Sequence, residues 1–543
     1  MTVKHRGTSG CRGSILVYLT LALPLFVLPL AGLSVEAGVA RIVQTKLQAA
    51  VDGASLGAGR LLGSPANIQE MAGEFMQANF RTGVQGFFGA NSLNYTATYT
   101  PGVVKTVKVL ATVQVPATVG RLLGTPYYNI AAVATATRKD TRVIMVIDRS
   151  GSMSALMPTL LNYAKGFAQK FSGSGTVGGS DELGLVAYDG SAVVGYPTAD
   201  PWDPTITATS TGGPDSLFND GTSDDMIHQI GAITANSGTG TAEALWIAYM
   251  ELQKAHLRDL AAPGSGGVDQ RLNAILLFTD GVPSAVSVYL NNPNDNSIKT
   301  TSSCSYKAPV APVPATHQIK GWVAEPGPSF VSQKLVGLYL LASTDPTASH
   351  TPAWWMANGG QDANDPNPTT PETGCTGLGL GSTYAISDST HTDLSRIPSY
   401  DMYGNALNPA SRPYHNSSIV GGSMTSIYTS GSELDQTQKV LDYDWGLAIW
   451  NSVDSAANNL RNDSNFANRA GDTQSMPVTI HVIAYTGNTP GVDQGLLKRV
   501  ANTTDSSSSS TAQPRGLYVS AGDSTALAAA FNNIASQILH LAQ

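Results

Sequence analysis

The sequence predicts an α/β protein whose main domain is a doubly wound parallel sheet with a long irregular insert. A transmembrane helix and a small α+β module precede that domain. Three observations carry this prediction: an uncharged apolar run near the N-terminus, alternating β-branched runs before residue 138, and apolar strands that alternate with amphipathic helices from Arg142 onward. Strand–helix alternation of the last kind is typical of parallel sheets covered on both faces.

Composition narrows the possible functions before any motif is considered. The chain has 543 residues, enough for two or more domains, and only 13% of them are charged. The formal net charge is −8, which offers no basic surface for nucleic acid, so nucleic-acid binding is not expected. Low charge with 55 glycines and 30 prolines favours a loop-rich protein outside the cytoplasm.

The N-terminus predicts a single-pass anchor in the inner (cytoplasmic) membrane. Residues 15–35 carry no charge and are as long as a membrane span requires. The preceding segment, 1–14, contains Lys4, Arg6 and Arg12, and positive charge there keeps the N-terminus in the cytoplasm. Everything after Glu36 is then expected to be periplasmic or extracellular.

A cleaved signal peptide is the alternative, with a weak cleavage sequence at Val35-Glu36-Ala37. The retained anchor is favoured because the apolar run exceeds an ordinary signal-peptide core and helical periodicity continues to residue 61. Both alternatives place the body of the protein outside the cytoplasm.

Residues 36–138 are predicted to form the α+β module. It starts with the continuing helix and a second helix over 67–81. Three β-branched runs follow, over 94–99, 103–115 and about 127–138.

Residues 140–543 are predicted to form the α/β domain. Its strands are expected at 143–148, 182–188, 273–279, 478–485 and 516–520, and its helices at 153–171, 223–234, 241–256, 443–460, 495–502 and 524–541. An insert of about 284–435 interrupts it, rich in Pro, Asn, Thr, Gly and Tyr. Cys304 and Cys375 lie in the insert and either form a disulfide or stay as separate thiols.

Oxygen donors follow the predicted strand ends. Asp148, Ser150 and Ser152 form an Asp-x-Ser-x-Ser turn at the carboxyl end of the first strand, where open parallel sheets bind ligands. Thr239 lies in a glycine-flanked turn before a helix, and Asp280 ends another buried strand. Oxygen-only ligands indicate Mg²⁺, with Mn²⁺ or Ca²⁺ as substitutes. The alternative is that Asp and Ser merely cap the following helix.

These motifs, DRSGSM (148–153), GTGTAEAL (238–245) and LLFTDG (276–281), resemble the metal-ion-dependent adhesion site of von Willebrand factor A domains. The resemblance covers about 140–283 and 440–543. It implies that Ser150 and Ser152 bind the metal directly, and that Thr239 binds directly or through water, with Thr241 as its replacement if the turn is shifted. It also implies that Asp148 and Asp280 act mostly through water, and that a partner protein supplies a carboxylate.

The N-terminal region has a resemblance of its own. The span running into ARIVQTKLQAAVDGASLGAGRLL (40–62), followed by VKVLATVQVPATVGRLLG (107–124), is similar to TadE/TadG-like proteins of tight-adherence (Flp) pilus assembly. No Glu shortly follows Gly13, so prepilin processing is not expected.

Together the patterns predict a non-enzymatic, membrane-anchored protein of bacterial pilus assembly or surface adhesion that docks a partner through Mg²⁺. A free-standing adhesin or a structural envelope protein whose insert makes the contacts is the alternative. Catalysis is not expected, because no G-x-S-x-G elbow or histidine accompanies the serines.

Overall fold

The computed structural model forms two compact units that divide between Arg138 and Lys139. It describes residues 18–20, 22–60, 68–82, 87–100, 104–122, 124–171, 181–197, 212–235, 238–262, 269–291, 318–324, 337–339, 396–397, 400–401, 403–407, 425–426, 434–462, 474–487 and 492–541.

The first unit begins with a long apolar helix. A π-helical turn, Leu23–Val27, leads into α1, Leu28–Arg60. Pro24 lies within that turn and Pro29 follows it closely, and proline, which cannot donate a backbone hydrogen bond, is a common cause of such irregular turns. Within the described residues, the helix Tyr18–Gly59 is the one long and apolar enough to cross a membrane, with a stretch of mean hydropathy 1.9.

The lower part of α1 packs on a helix and a three-stranded sheet. The elements are α2 (Ile68–Asn79), β1 (Asn91–Thr100), β2 (Val104–Pro116), α3 (Val119–Leu122) and β3 (Tyr127–Lys139). The sheet order is β1-β2-β3. Val43, Leu47 and Val51 of α1 are fully buried with Val107 and Val109 of β2 in one core, because the helical and strand periods each place these residues on one face.

The second unit contains a six-stranded sheet. Its strands are β4 (Thr141–Asp148), β5 (Glu182–Tyr188), β6 (Ala192–Tyr196), β7 (Leu272–Thr279), β13 (Val478–Tyr485) and β14 (Tyr518–Ala521). The order is β14-β13-β7-β4-β5-β6, parallel except for the antiparallel edge strand β6. The predicted doubly wound α/β class is therefore confirmed.

Helices cover both faces of this sheet. They are α4 (Met157–Ala168), α5 (Met226–Gly231), α6 (Thr241–Ala261), α7 (Leu434–Arg461), α8 (Gln494–Ala501) and α9 (Ser524–Leu541). Ile144 and Val146 point into one core with α6, α7 and α8, whereas Val143, Met145 and Ile147 point into the other with α4 and α9. The continuous apolar run of β4 thus reflects burial on both faces.

The structure differs from the sequence prediction at two places. Strand β6 is not among the predicted strands, because five residues after a tight turn give too short a pattern. The predicted irregular insert contains an antiparallel sheet formed by β8 (Ala285–Asn291), β9 (Gln318–Ala324) and β10 (Gly337–Tyr339). Two short strands, β11 (Arg396–Ile397) and β12 (Thr425–Ser426), pair with each other.

Candidate metal centre

The first site segment is the turn after β4. The Asp148 side chain is fully buried, and its Oδ1 accepts a hydrogen bond of 2.9 Å from the Ser150 backbone N–H. The hydroxyl oxygens of Ser150 and Ser152 lie 3.1 Å apart. Ser152 is exposed, while Ser150 is buried. Two hydroxyls and a carboxylate therefore converge where the sheet edge opens to solvent.

The second segment is the end of β7. The Thr279 hydroxyl donates to Asp148 Oδ2 at 2.7 Å and accepts from the Gly281 N–H at 2.9 Å. Gly281 has φ +97°, a conformation that favours glycine. Asp280, between them, is buried, and its charge acts on Asp148. Burial, together with the charge of Asp280, raises the pKa of Asp148 to about 7.

The third segment is the turn that precedes α6. The Thr239 carbonyl accepts hydrogen bonds from Ser284 (3.0 Å) and Ala285 (3.2 Å), which ties this turn to the segment after β7. Thr241 is the first residue of α6, is almost fully buried, and lies with Thr279 against the Tyr188 phenol. Thr241 is 1% exposed and Thr239 is 6% exposed, so Thr239 remains the candidate ligand that the sequence predicts from this turn.

Behind the site lies an ion pair that the sequence analysis missed. The guanidinium of Arg149, the first variable residue of the Asp-x-Ser-x-Ser turn, lies 3.3 Å from Asp189 Oδ2, and both side chains are buried. Asp189 Oδ1 also accepts from the Ser191 N–H at 3.0 Å. In the sequence, this contact is indicated by Arg149 alone, a charged residue that directly follows the buried strand 143–148.

A second missed contact joins the insert to the site helix. Glu243, in the first turn of α6, accepts hydrogen bonds from the hydroxyls of Ser191 (3.2 Å), Ser287 (2.6 Å) and Tyr403 (3.0 Å). The Tyr403 ring stacks on Trp246 with centroids 6.0 Å apart. These long-range contacts fix part of the insert beside the Thr239 turn, and local periodicity carries no signal for them.

The Tyr403 contact is presented by a tight turn. Asp401 accepts from the backbone N–H groups of Tyr403 (2.9 Å) and Asn405 (2.8 Å), and Gly404 has φ +84°. Burial raises the pKa of Asp401 to about 7, and the charge of Glu243 adds to this effect.

The chemistry of the donor set suits a hard divalent cation. Asp148, Ser150, Ser152, Thr239 and Asp280 offer only oxygen, and the two carboxylates approach each other in a buried place. Within the described ranges, no three His, Cys, Asp or Glu side chains form a metal-binding group. A site here therefore depends on hydroxyl ligands beside the two aspartates. Cys304 and Cys375, for which a disulfide is one of two predictions, lie outside the described residues.

Residues 13–61 match the family model described as "Putative Flp pilus-assembly TadE/G-like". No protein of curated function is detectably similar in sequence to this chain.

Several solved structures align with this chain at low sequence identity and low TM-score. The PilB minor pilin from Streptococcus sanguinis is 13% identical, with a TM-score of 0.31 over 86% of this chain and 85% of that one. The von Willebrand domain of the pilus tip protein Mfa5 from Porphyromonas gingivalis is 17% identical, with a TM-score of 0.30 over 75% and 98%. Proximal thread matrix protein 1 from the mussel byssus, with a zinc-occupied adhesion motif, is 16% identical, with a TM-score of 0.18 over 26% and 29%. These low TM-scores assign no function to the present chain.

Proposed function

We propose that this chain is a membrane-anchored, non-enzymatic component of Flp/Tad pilus assembly or surface adhesion. It docks a protein partner through a Mg²⁺ ion held by Asp148, Ser150, Ser152, Thr239 and Asp280. The N-terminal helix crosses the inner membrane with its N-terminus in the cytoplasm, and the rest of the chain lies outside. The family match over residues 13–61 supports the pilus assignment.

The observation that carries the proposal is that Asp148 and Asp280 are both buried at the carboxyl ends of neighbouring strands, where the charge of one acts on the other. Two buried carboxylates of like charge are costly unless a cation or a proton compensates them. Hydroxyls of Ser150 and Ser152, 3.1 Å apart beside Asp148, add neutral oxygen ligands that Mg²⁺ accepts. The exposure of Ser152 leaves this edge accessible to a partner.

The ion would supply a positive centre with an open coordination position. This chain's residues orient it: the Ser150 N–H and Thr279 hydroxyl fix both oxygens of Asp148, and the Thr239 turn is held by Ser284 and Ala285. A carboxylate from the partner would complete the shell, which gives a directional, charge-assisted contact.

Partner capture tests the proposal. The full chain, carrying an affinity tag after Gln543 and held in detergent, is incubated with envelope extract in Mg²⁺ or in EDTA. A partner retained in Mg²⁺, released by EDTA and not captured by Asp148→Asn supports metal-centred docking. Asp505→Asn is the matched control, because that carboxylate is exposed and its ion pair is with Lys498 at the surface. Partner capture that EDTA and Asp148→Asn leave unchanged would mean that the insert, not the metal, makes the contact.

A further inference from the structure

A loop of the N-terminal unit is fastened to the point where the predicted span ends. Glu36 accepts hydrogen bonds from the backbone N–H groups of Thr118, Val119 and Gly120, the last at 3.1 Å, and from the Tyr128 hydroxyl at 2.9 Å. The loop is closed by hydrogen bonds from Ala117 to Pro126 (3.0 Å) and from Thr125 to Gly120 (2.9 Å). Both carboxylate oxygens are used, so the loop has a fixed height on α1.

That height lies inside the span. A Cβ atom added at Gly32 would stand 2.5 Å from Val119 Cγ2, so Val119 rests directly on the helix at this glycine. Gly32 comes three residues before the end of the apolar run 15–35, which is about 5 Å below its outer end at 1.5 Å per residue. Part of the extracytoplasmic unit therefore descends below the outer boundary of the span.

The tip of this loop is apolar and uncovered. Leu122 is 85% exposed, the highest value among the large exposed apolar side chains of the described residues. The exposed surface of the span continues up to Val35, which is 67% exposed, and Tyr127 at the other end of the loop is 47% exposed. Arg121, next to Leu122, is exposed as well. Leucine, tyrosine and arginine together are typical of the membrane–water interface.

We propose that the loop made of residues 117–122 and 124–126 is a membrane-contacting foot that inserts Leu122 among the outer ends of the lipid acyl chains and places Arg121 at the phosphate layer. This inference rests on the proposed anchor, because it requires residues 15–35 to cross the bilayer. A single exposed leucine is common on soluble proteins. Here its position is set by Val119 on Gly32 and by the Glu36 hydrogen bonds, which point to lipid as its environment.

Nitroxide labels at single cysteines measure this environment in the full chain, with the native cysteines replaced by serine. The chain is reconstituted into phosphatidylethanolamine–phosphatidylglycerol vesicles. Labels at Leu122 and at Leu25, inside the span, should be more accessible to oxygen than to a water-soluble nickel complex. A label at Val133 should show the reverse. The Gln48 side chain donates a hydrogen bond to the Val133 carbonyl at 3.0 Å, so Val133 lies beside Gln48. Gln48 is 13 residues after the end of the span at Val35, which is about 20 Å along the helix.

The second part of the experiment removes the hydrogen bonds that Glu36 accepts from the loop. Glu36→Ala should raise nickel accessibility at position 122 severalfold, because the three N–H groups and Tyr128 lose their shared acceptor. Glu70→Ala, which removes an exposed glutamate from α2, should leave the label unchanged. An unaltered line shape at position 133 establishes that the unit is still folded in each variant.

The negative results distinguish a failure of the foot from a failure of the anchor. A water-exposed label at 122 beside a lipid-exposed label at 25 overturns the foot and leaves the anchor intact. Water exposure at both positions overturns the anchor and the foot together. Protection at 122 that disappears when protein is diluted with lipid also overturns the proposal, because a second copy of the chain would then be covering Leu122.

Discussion

Strand β4 has a buried arginine, Arg142, near its first residue (the entry end) and a buried aspartate, Asp148, at its last (the exit end). The two ends differ in the charges that surround them. At the entry, Arg142 bonds Glu182 (2.8 Å), Asp269 (2.5 Å) and Asp259. Burial alone would lower the pKa of Arg142, but these three carboxylates outweigh it and raise the pKa. Arg258 and Arg271 also pair with Glu182 and Asp259, so the negative charge at this end is compensated within the chain.

At the last residue of β4, the Asp148 carboxylate is subject to the like charge of Asp280, and it accepts a hydrogen bond from the neutral Thr279 hydroxyl. The entry end therefore serves stability, whereas the exit end gathers negative charge where open α/β sheets bind ligands. Charged side chains are buried at both ends, so burial does not distinguish structure from function. The two ends differ in the sign of the charge beside them, which is why the metal site is proposed at the Asp148 end.

The largest effect is expected from breaking the compensated end. Arg142→Met removes the one fully buried cation that the three acidic side chains share, although Arg258, Arg271 and His256 still contact them. Breaking a buried pair costs about 3–5 kcal/mol, and the remaining partners place the expected loss at the lower end of that range. Urea unfolding of the full chain in detergent measures the loss for the second unit. Arg515→Met, at an exposed arginine, should change the midpoint little. Equal midpoints for both variants would contradict the structural role of Arg142.

A buried histidine on strand β13 provides a second case of a charge that burial opposes. Burial lowers the pKa of His481 to about 4, and its Nδ1 accepts from the Leu517 N–H at 3.1 Å. The unfolded chain takes up a proton near pH 6.5 and the folded one near 4, so stability falls as pH drops through this window. The loss due to His481 reaches roughly 3 kcal/mol at 1.36 kcal/mol per pKa unit.

The measurement is the difference in unfolding free energy between the wild type and His481→Asn across pH 7 to 4. Asparagine offers an acceptor for Leu517 but does not titrate here. The difference should narrow as pH falls, and a constant difference would show that His481 titrates normally in the folded chain.

The exit end should respond to metal rather than to acid alone. Mg²⁺ at a hundred times Kd should stabilise the wild type by about 2.7 kcal/mol. Asp148→Asn should abolish this gain yet remain folded without metal, because the amide oxygen still accepts from Ser150 and a like charge is removed. Thermal unfolding with and without Mg²⁺ reports both results. A variant that unfolds without metal would assign Asp148 to stability, like Arg142.

The smallest effect concerns pH and metal affinity. Because burial and Asp280 raise the pKa of Asp148 to about 7, protons compete with Mg²⁺ below that value. The apparent Kd should therefore rise about tenfold per unit as pH falls below 7, for a single displaced proton. Calorimetric titration at pH 6 and pH 8 checks this. A pH-independent Kd would mean that Asp148 stays ionised without the ion.

Much of this architecture is predictable from the sequence. A continuous apolar run predicted β4, because both faces of that strand are buried. Apolar residues at helical spacing predicted α9, because one face of that helix is buried. The prediction that the turn 148–152 and Asp280 form a metal site rests on the rule that parallel strands bring their carboxyl ends to one edge.

The contacts that hold the site in place were not predictable. Thr279 on Asp148, Arg149 on Asp189 and Tyr403 on Glu243 join residues that lie 131, 40 and 160 positions apart. Each is a polar pairing fixed by tertiary structure, and no local pattern distinguishes these side chains from solvated ones. The hydrogen bond from the Thr118 N–H to Glu36 was not predictable for the same reason.

Direct metal binding tests the central claim most simply. Mn²⁺ is titrated into the full chain in detergent, and the electron paramagnetic resonance signal of the free ion is followed. We expect one saturable Mn²⁺ per chain, displaced by Mg²⁺, lost in Asp148→Asn and in Asp280→Asn, and retained in Asp505→Asn. Absence of saturable binding at millimolar Mn²⁺, or binding that survives both site substitutions, would contradict it.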